Sequence, residues 1–121
     1  MSKILLVEDS RFVRYLLRKN IEHIEMEVIG ECSDQKDVLT LYEQMAPDLV
    51  MVDYSLPDTL GIKVVEQLLA KDIYAKIILM IPLRMEQQIQ SLISMGVKAV
   101  LVKPFYPETL QSILIEVAVA L

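Results

Sequence analysis

Lys3-Ile-Leu-Leu-Val-Glu-Asp9 is a short apolar run that stops on two acids. Four aliphatic residues followed at once by charge read as a strand covered on both faces, the pattern of a parallel sheet. Two further stretches repeat the pattern. Asp48-Leu-Val-Met-Val52 ends at Asp53, and Val97-Lys-Ala-Val-Leu-Val102 ends at Lys103-Pro104. In an open parallel sheet, ligands bind outside the carboxyl ends of the strands, where the strand order reverses. Glu8, Asp9, Asp53 and Lys103 are therefore expected to meet at one edge.

Between these runs the period changes. Ser10 is placed to cap a helix over 11–23, with Val13, Leu16, Leu17, Ile21 and Ile24 at helical spacing. Arg11, Arg14, Arg18 and Lys19 fall largely off that stripe and read as a solvated face. Residues 27–31 read as a second strand. Ser33 or Asp34 is expected to cap a second helix with Val38, Leu41, Tyr42 and Met45 inward, broken by Ala46-Pro-Asp48. Ser55-Leu-Pro-Asp-Thr-Leu-Gly61 is a loop with turn chemistry at Pro57-Asp58, before a third helix that buries Val64, Val65, Leu68 and Leu69. Residues 75–81 give a fourth strand, stopped by Pro82. Met85, Ile89, Leu92 and Ile93 mark a fourth helix, with Gly96 just past its end. The fifth strand covers 98–102, and Pro107 suits the first position of a fifth helix, with Leu110, Ile113, Leu114 and Val117 inward.

This unbroken (βα)5 alternation predicts a single α/β domain over residues 1–121. Right-handed crossovers lead to a doubly wound, five-stranded parallel sheet of order 2-1-3-4-5, flavodoxin-like. In that order the first and third strands are neighbours, so Asp9 and Asp53 lie side by side with Glu8.

Bulk properties narrow the classes. The 121 residues, 54% of them hydrophobic, suit one compact domain. A net charge of −5 without a basic cluster argues against nucleic acid as a direct partner. Cys32 is the only cysteine, so an internal disulfide is impossible, and a reducing cytoplasm is the expected setting. No apolar run approaches the ~18 residues that read as a membrane span, and no signal-peptide pattern is present.

The acidic edge carries the chemistry. Two like charges at ~4 Å cost about 4 kcal/mol at an effective dielectric of about 20. Lys103 offsets one charge, and a loose carboxylate cluster suits Mg2+, which binds through one or two carboxylates and keeps several waters. The derived site is thus Mg2+ with an anion position beside Lys103; the plain alternative is a solvated acidic rim with one surface lysine. His23, near the end of the first helix, suits the helix dipole, and Tyr54 reads as a packing residue. The glycines are Gly30, Gly61 and Gly96, too few and too scattered for a phosphate-cradling loop.

Leu6-Val-Glu-Asp9, Pro47-Asp-Leu-Val-Met-Val-Asp53, Leu56-Pro57 with Gly61, and Val102-Lys-Pro-Phe105 stand in order at family-like spacing. In these pieces the chain resembles a response-regulator receiver domain, the phosphoacceptor module of two-component signalling, over essentially its whole length. The resemblance implies that Glu8 and Asp9 hold Mg2+ and that Asp53 is the phosphoacceptor and a metal ligand. It further implies a metal bond from the Ser55 backbone carbonyl, phosphoryl pairing by Lys103, and a cis Lys103–Pro104 peptide. The implied donor is a sensor histidine kinase or phosphotransfer protein, and the implied output is an unknown downstream protein. A phosphoacceptor of this kind is not an enzyme. A phosphohydrolase with an aspartate nucleophile is the nearest chemical rival, but it usually carries a second Asp where Ser55 stands.

Three positions depart from the family. Receivers usually end the fourth strand with Thr or Ser, whose hydroxyl bonds the phosphoryl group; here that residue is Ile81, followed by Pro82, which has no N–H. The aromatic residue usual in the fifth strand aligns with Val100. A hydrogen bond to a charged group contributes roughly 1.5–3 kcal/mol, so its loss weakens an active state by about one to two powers of ten in population. Phosphorylation is expected to survive while its readout weakens or takes another route. The competing expectation is a phosphorylation-independent interaction module on a receiver fold. Ile115 and Val119 are expected to point away from the sheet, offering a partner or homodimer surface on the face of helix 4, strand 5 and helix 5. With no output domain after residue 121, the chain reads as a single-domain regulator or a fragment of a longer one.

Overall fold

The structure, a computed structural model, describes residues 1–57 and 61–120. Strands and helices alternate as β1 (Lys3–Val7), α1 (Arg11–His23), β2 (Glu27–Cys32), α2 (Val38–Met45), β3 (Leu49–Asp53), α3 (Gly61–Lys71), β4 (Ile77–Pro82), a 3-10 turn (Leu83–Gln88), α4 (Ile89–Ser94), β5 (Ala99–Lys103) and α5 (Pro107–Ala118). The five strands are all parallel, in the order β2-β1-β3-β4-β5. This is the expected doubly wound sheet.

The apolar runs are continuous because both faces of each strand are covered. Leu5, Val7, Val50, Val52, Leu79 and Ile81 face one way, against Val64, Val65 and Leu68 of α3 and Leu92 of α4. Ile4, Leu6, Leu49, Met51, Ile78 and Met80 face the other way, against Leu17 and Ile21 of α1 and Leu110, Leu114 and Val117 of α5. Each such side chain contributes roughly 1.5–3 kcal/mol when fully buried. Two stacked cores therefore hold the sheet rigid beneath its carboxyl edge.

The ends of the elements follow local chemistry in most places. Ser10 Oγ accepts the Val13 N–H at 3.2 Å and starts α1. Pro107 opens α5, and Gly96, just past α4, takes a φ of +120° that only glycine adopts without strain. Other expectations need correction. Neither Ser33 nor Asp34 caps α2: Asp34 instead accepts the Lys36 N–H at 2.9 Å, and α2 begins after Asp37 with no side-chain cap. The fourth helix starts as a 3-10 turn after Pro82, and Pro82 is itself the last residue of β4, paired with Lys103. Met45 and Ile93, expected inward, are exposed. Met45 still reaches over Gly30, where a Cβ would sit 2.6 Å from its sulfur. The turn expected at Pro57-Asp58 runs into residues outside the described ones.

Candidate functional site

The register of the sheet builds the site. Val7 pairs with Val52 across β1 and β3, so the residues that follow, Glu8 and Asp53, are neighbours. Side chains alternate along a strand, so Asp53 lies on the same face as Met51, toward α1, where β3 ends. Lys103 likewise ends β5. Carboxylate oxygens of Glu8, Asp9 and Asp53 all fall within 4.8 Å of one another. Glu8 is 1% exposed and Asp53 5%, whereas Asp9 is open to solvent.

Lys103 is the hub. Its Nζ donates to Glu8 Oε1 at 2.6 Å and to Asp53 Oδ1 at 3.3 Å. One ammonium thus faces two buried carboxylates, where the sequence suggested that it would offset one. The second oxygen of Glu8 accepts the Ser10 N–H at 3.1 Å. Burial pushes the Glu8 carboxyl above its ordinary value; Lys103 and the Ser10 N–H pull it back, and the nearby Asp53 charge adds to the rise. Burial wins this contest. Such a site favours any further positive charge.

Gly61 brings the start of α3 close against the end of β3. Its N–H donates to the Tyr54 carbonyl at 2.6 Å, and a Cβ there would lie 2.1 Å from the Asp53 carbonyl oxygen. Only a residue without a side chain lets the chain return this close. Beside the acids opens a cleft of about 470 Å3, walled by Phe12, Val13 and Leu16 of α1, by Ser55, and by Pro104-Phe105. Phe12 is 68% exposed at its rim. The Lys103–Pro104 peptide is cis, as the resemblance implied.

Three hard oxygen donors in a partly solvated cluster fit the coordination habit of Mg2+, which takes one or two carboxylates and completes its shell with water. Among the described residues no other group of three potential ligands is so placed. His23 is exposed in the last turn of α1, at the far end from the acids, and Tyr54 is half-buried against the core. Ile81 is fully buried among aliphatic neighbours, and Val100 is half-buried. Ile115 on α5 and Val119 at its C-terminal cap are exposed, as expected.

Arg14 corrects the reading of α1. Rather than lying in solvent, its guanidinium bonds the Glu8 carbonyl and pairs with Glu31 of β2, and Arg18 also pairs with Glu31. Periodicity gave no sign of this, because Glu31 lies on another element.

A profile of the response regulator receiver domain matches residues 4–115. Protein CcdB of Bacillus subtilis is 33% identical over 105 residues, covering 87% of this chain and 88% of that protein. Chemotaxis protein CheY of Listeria monocytogenes is 30% identical over 105 residues, again covering 87% and 88%. Among solved structures, the response regulator TrrA of Thermotoga maritima, in complex with Mg2+ and BeF, matches with a TM-score of 0.84 at 25% identity, covering 97% of this chain and 99% of that one. A chain of the CheX–CheY–BeF3–Mg complex of Borrelia burgdorferi matches with a TM-score of 0.90 at 23% identity, covering 98% and 90%, and supports the fold. With the profile running from the first strand into the last helix, and CheY-like relatives aligned over most of both chains, the chain belongs to the receiver domains of two-component response regulators.

Proposed function

We propose that Asp53 accepts a phosphoryl group in a Mg2+-dependent reaction and that the chain then signals through a protein–protein surface. The donor in this reading is a phosphohistidine on a sensor histidine kinase or phosphotransfer protein. The observation that carries it is Lys103 bridging Glu8 and Asp53 inside a cluster of three carboxylates. Glu8, Asp9 and Asp53 would hold the ion, with the Ser55 carbonyl as a further ligand. Mg2+, when bound, supplies charge that offsets the phosphoryl oxygens.

This chain's own residues do the rest. An oxygen of Asp53 bonds phosphorus as the donor's P–N bond breaks, and the leaving nitrogen keeps the electron pair. Lys103 moves from the two carboxylates toward the new phosphoryl oxygens, where an ammonium–oxygen bond is charge-assisted. Phe12, Val13, Leu16 and Phe105 would line the cleft with apolar surface beside Asp53 and Lys103. The chain is spent once per transfer, as an acceptor rather than an enzyme, and the reading places it in the cytoplasm.

Ile81, Pro82 and Val100 support a readout that does not use the usual hydroxyl and aromatic residues. The same three residues favour a second reading, a phosphorylation-independent interaction module. Exposed Ile115 and Val119 support an output or homodimer face formed by α4, β5 and α5. Light scattering of wild type and Ile115→Glu over a concentration series checks that face; an unchanged mass retires the homodimer.

The acceptor chemistry is tested by intact-protein mass after incubation with acetyl phosphate. The reading predicts one phosphoryl adduct with Mg2+, none with a chelator, and none on Asp53→Asn. A folded wild type that never gains the adduct, even from a phosphohistidine donor, supports the interaction module instead.

A further inference from the structure

Arg14 stands in the first turns of α1 with its side chain only 19% exposed. Its Nη1 donates to the backbone oxygen of Glu8 at 2.6 Å, while its Nε pairs with Glu31 Oε1 at 3.1 Å. Arg18 holds the other oxygen of Glu31. Glu31 itself is fixed in β2, in register with Leu6 of β1. On the other side of the same residue, the Glu8 N–H donates to the Cys32 carbonyl at 3.0 Å. Both peptide groups flanking Glu8 are therefore tied, one to β2 backbone and one to a guanidinium.

The tie matters for Asp9. The Glu8 carbonyl lies in the same rigid plane as the Asp9 nitrogen and Cα, so fixing that carbonyl fixes the direction in which the chain enters Asp9. The Asp9 carboxylate is solvent-open, and among the described residues no hydrogen bond holds it. Its placement beside Glu8 and Asp53 has to come from the backbone.

We propose that Arg14 is a positioning residue for divalent-cation binding: its planar fork, anchored on Glu31, orients the Glu8–Asp9 peptide and so presents the Asp9 carboxylate to the ion. The proposal rests on the Mg2+ reading above. The fork, not the charge alone, is the essential feature. Lysine keeps the charge but is a single flexible point that does not reach Glu31 and the carbonyl in one plane.

The experiment titrates the purified protein with Mg2+ alone, by calorimetry and by amide shifts of Asp9 and Ser10, for wild type, Arg14→Lys, Arg14→Ala and Glu31→Gln. Residues that orient metal ligands typically change affinity about 10–100-fold. Both Arg14 variants are expected to bind Mg2+ about tenfold more weakly, and Glu31→Gln to weaken it less, in the same direction. Their Asp9 and Ser10 amides are expected to shift even before metal is added. Arg14→Lys with wild-type affinity overturns the fork. A lower melting temperature with unchanged Mg2+ affinity makes Arg14 a packing residue and also overturns the proposal. If Arg14→Ala does not fold, Arg14→Lys and Glu31→Gln carry the test. Folded wild type that takes up no Mg2+ overturns the metal reading, and the proposal falls with it; Mg2+ uptake by wild type and variants alike overturns the Arg14 role alone.

Discussion

The carboxyl edge of this sheet has two halves that differ in kind. Where β1 and β3 end, the side chains are charged and the buried ones are partnered: Glu8 with Lys103 and Ser10, Asp53 with Lys103, the Glu8 backbone with Arg14. Where β4 ends, the apolar core runs to the rim. Ile81 is fully buried, Pro82 has no N–H, and Val100 on the neighbouring β5 is aliphatic. The first half holds the carboxylates and the lysine on which the proposed acceptance of a phosphoryl group rests. The second carries Ile81 and Val100 where the resemblance implies a hydroxyl and an aromatic ring. On the proposed reading, acceptance and readout are separable demands on one fold: the acids lie at the ends of β1 and β3, Ile81 and Pro82 at the end of β4, and β5 carries both Lys103 and Val100.

The contrast is broken most severely by Gly61→Ala. The added methyl would lie 2.1 Å from the Asp53 carbonyl oxygen, against backbone that has little room to retreat. We expect a loss of about 3 kcal/mol, the upper end for overpacking, with Asp53 displaced. Urea unfolding measures it, and a loss below about 1 kcal/mol shows that the loop yields.

Lys103→Met comes next. It leaves two buried carboxylates without their cation, and lysine's partial exposure discounts the cost to about 2 kcal/mol at neutral pH. Unfolding curves at neutral and mildly acidic pH check this. The deficit shrinks as acid protonates one carboxylate; a deficit independent of pH contradicts the hub role of Lys103.

Ile81→Thr sharpens the comparison from the other half. A hydroxyl in this buried site costs about 1–3 kcal/mol until it finds a partner. The account expects a less stable protein in which phosphorylation now perturbs residues 83–94, read by amide shifts. Stability lost without any new response there shows that the hydroxyl alone does not restore the relay.

The smallest effect is the pH dependence of Glu8 without metal. Its folded pKa is raised, chiefly by burial, above the ordinary 4.5. The folded state therefore holds this proton more tightly than the unfolded chain. The associated stability is fully present below 4.5 and is lost as pH rises through the raised folded value. Melting temperatures of wild type and Glu8→Gln should differ least at low pH in that window and most above it. A gap that widens as pH falls contradicts the sign. If Mg2+ binds the folded state as proposed, its addition should stabilise wild type at neutral pH.

Strand order and the gathering of Glu8, Asp9, Asp53 and Lys103 were legible because continuous apolar runs mark parallel strands and their ends mark the ligand edge. Features set by contacts between distant elements were not. Arg14 looks solvent-facing on its own helix, and its partner Glu31 lies on β2. Asp34 looked like a cap, but a local turn claimed its carboxylate. Met45 sits on the apolar stripe of α2, yet it is exposed and its sulfur covers Gly30 of β2. A helical stripe through Met85 and Ile89 did not reveal that a 3-10 turn intervenes after Pro82. Periodicity reports which side of an element is apolar, not which distant group a long side chain reaches.

The most direct test is the amide-shift map of the protein as Mg2+ and BeF, the pair held by the TrrA complex, are added together. The account predicts large shifts at Glu8, Asp9, Ser10, Asp53, Tyr54, Ser55 and Lys103, with Leu83–Ser94 nearly still. Shifts of equal size spreading through Leu83–Ser94 would contradict it, showing that the β4 end relays the signal without a hydroxyl.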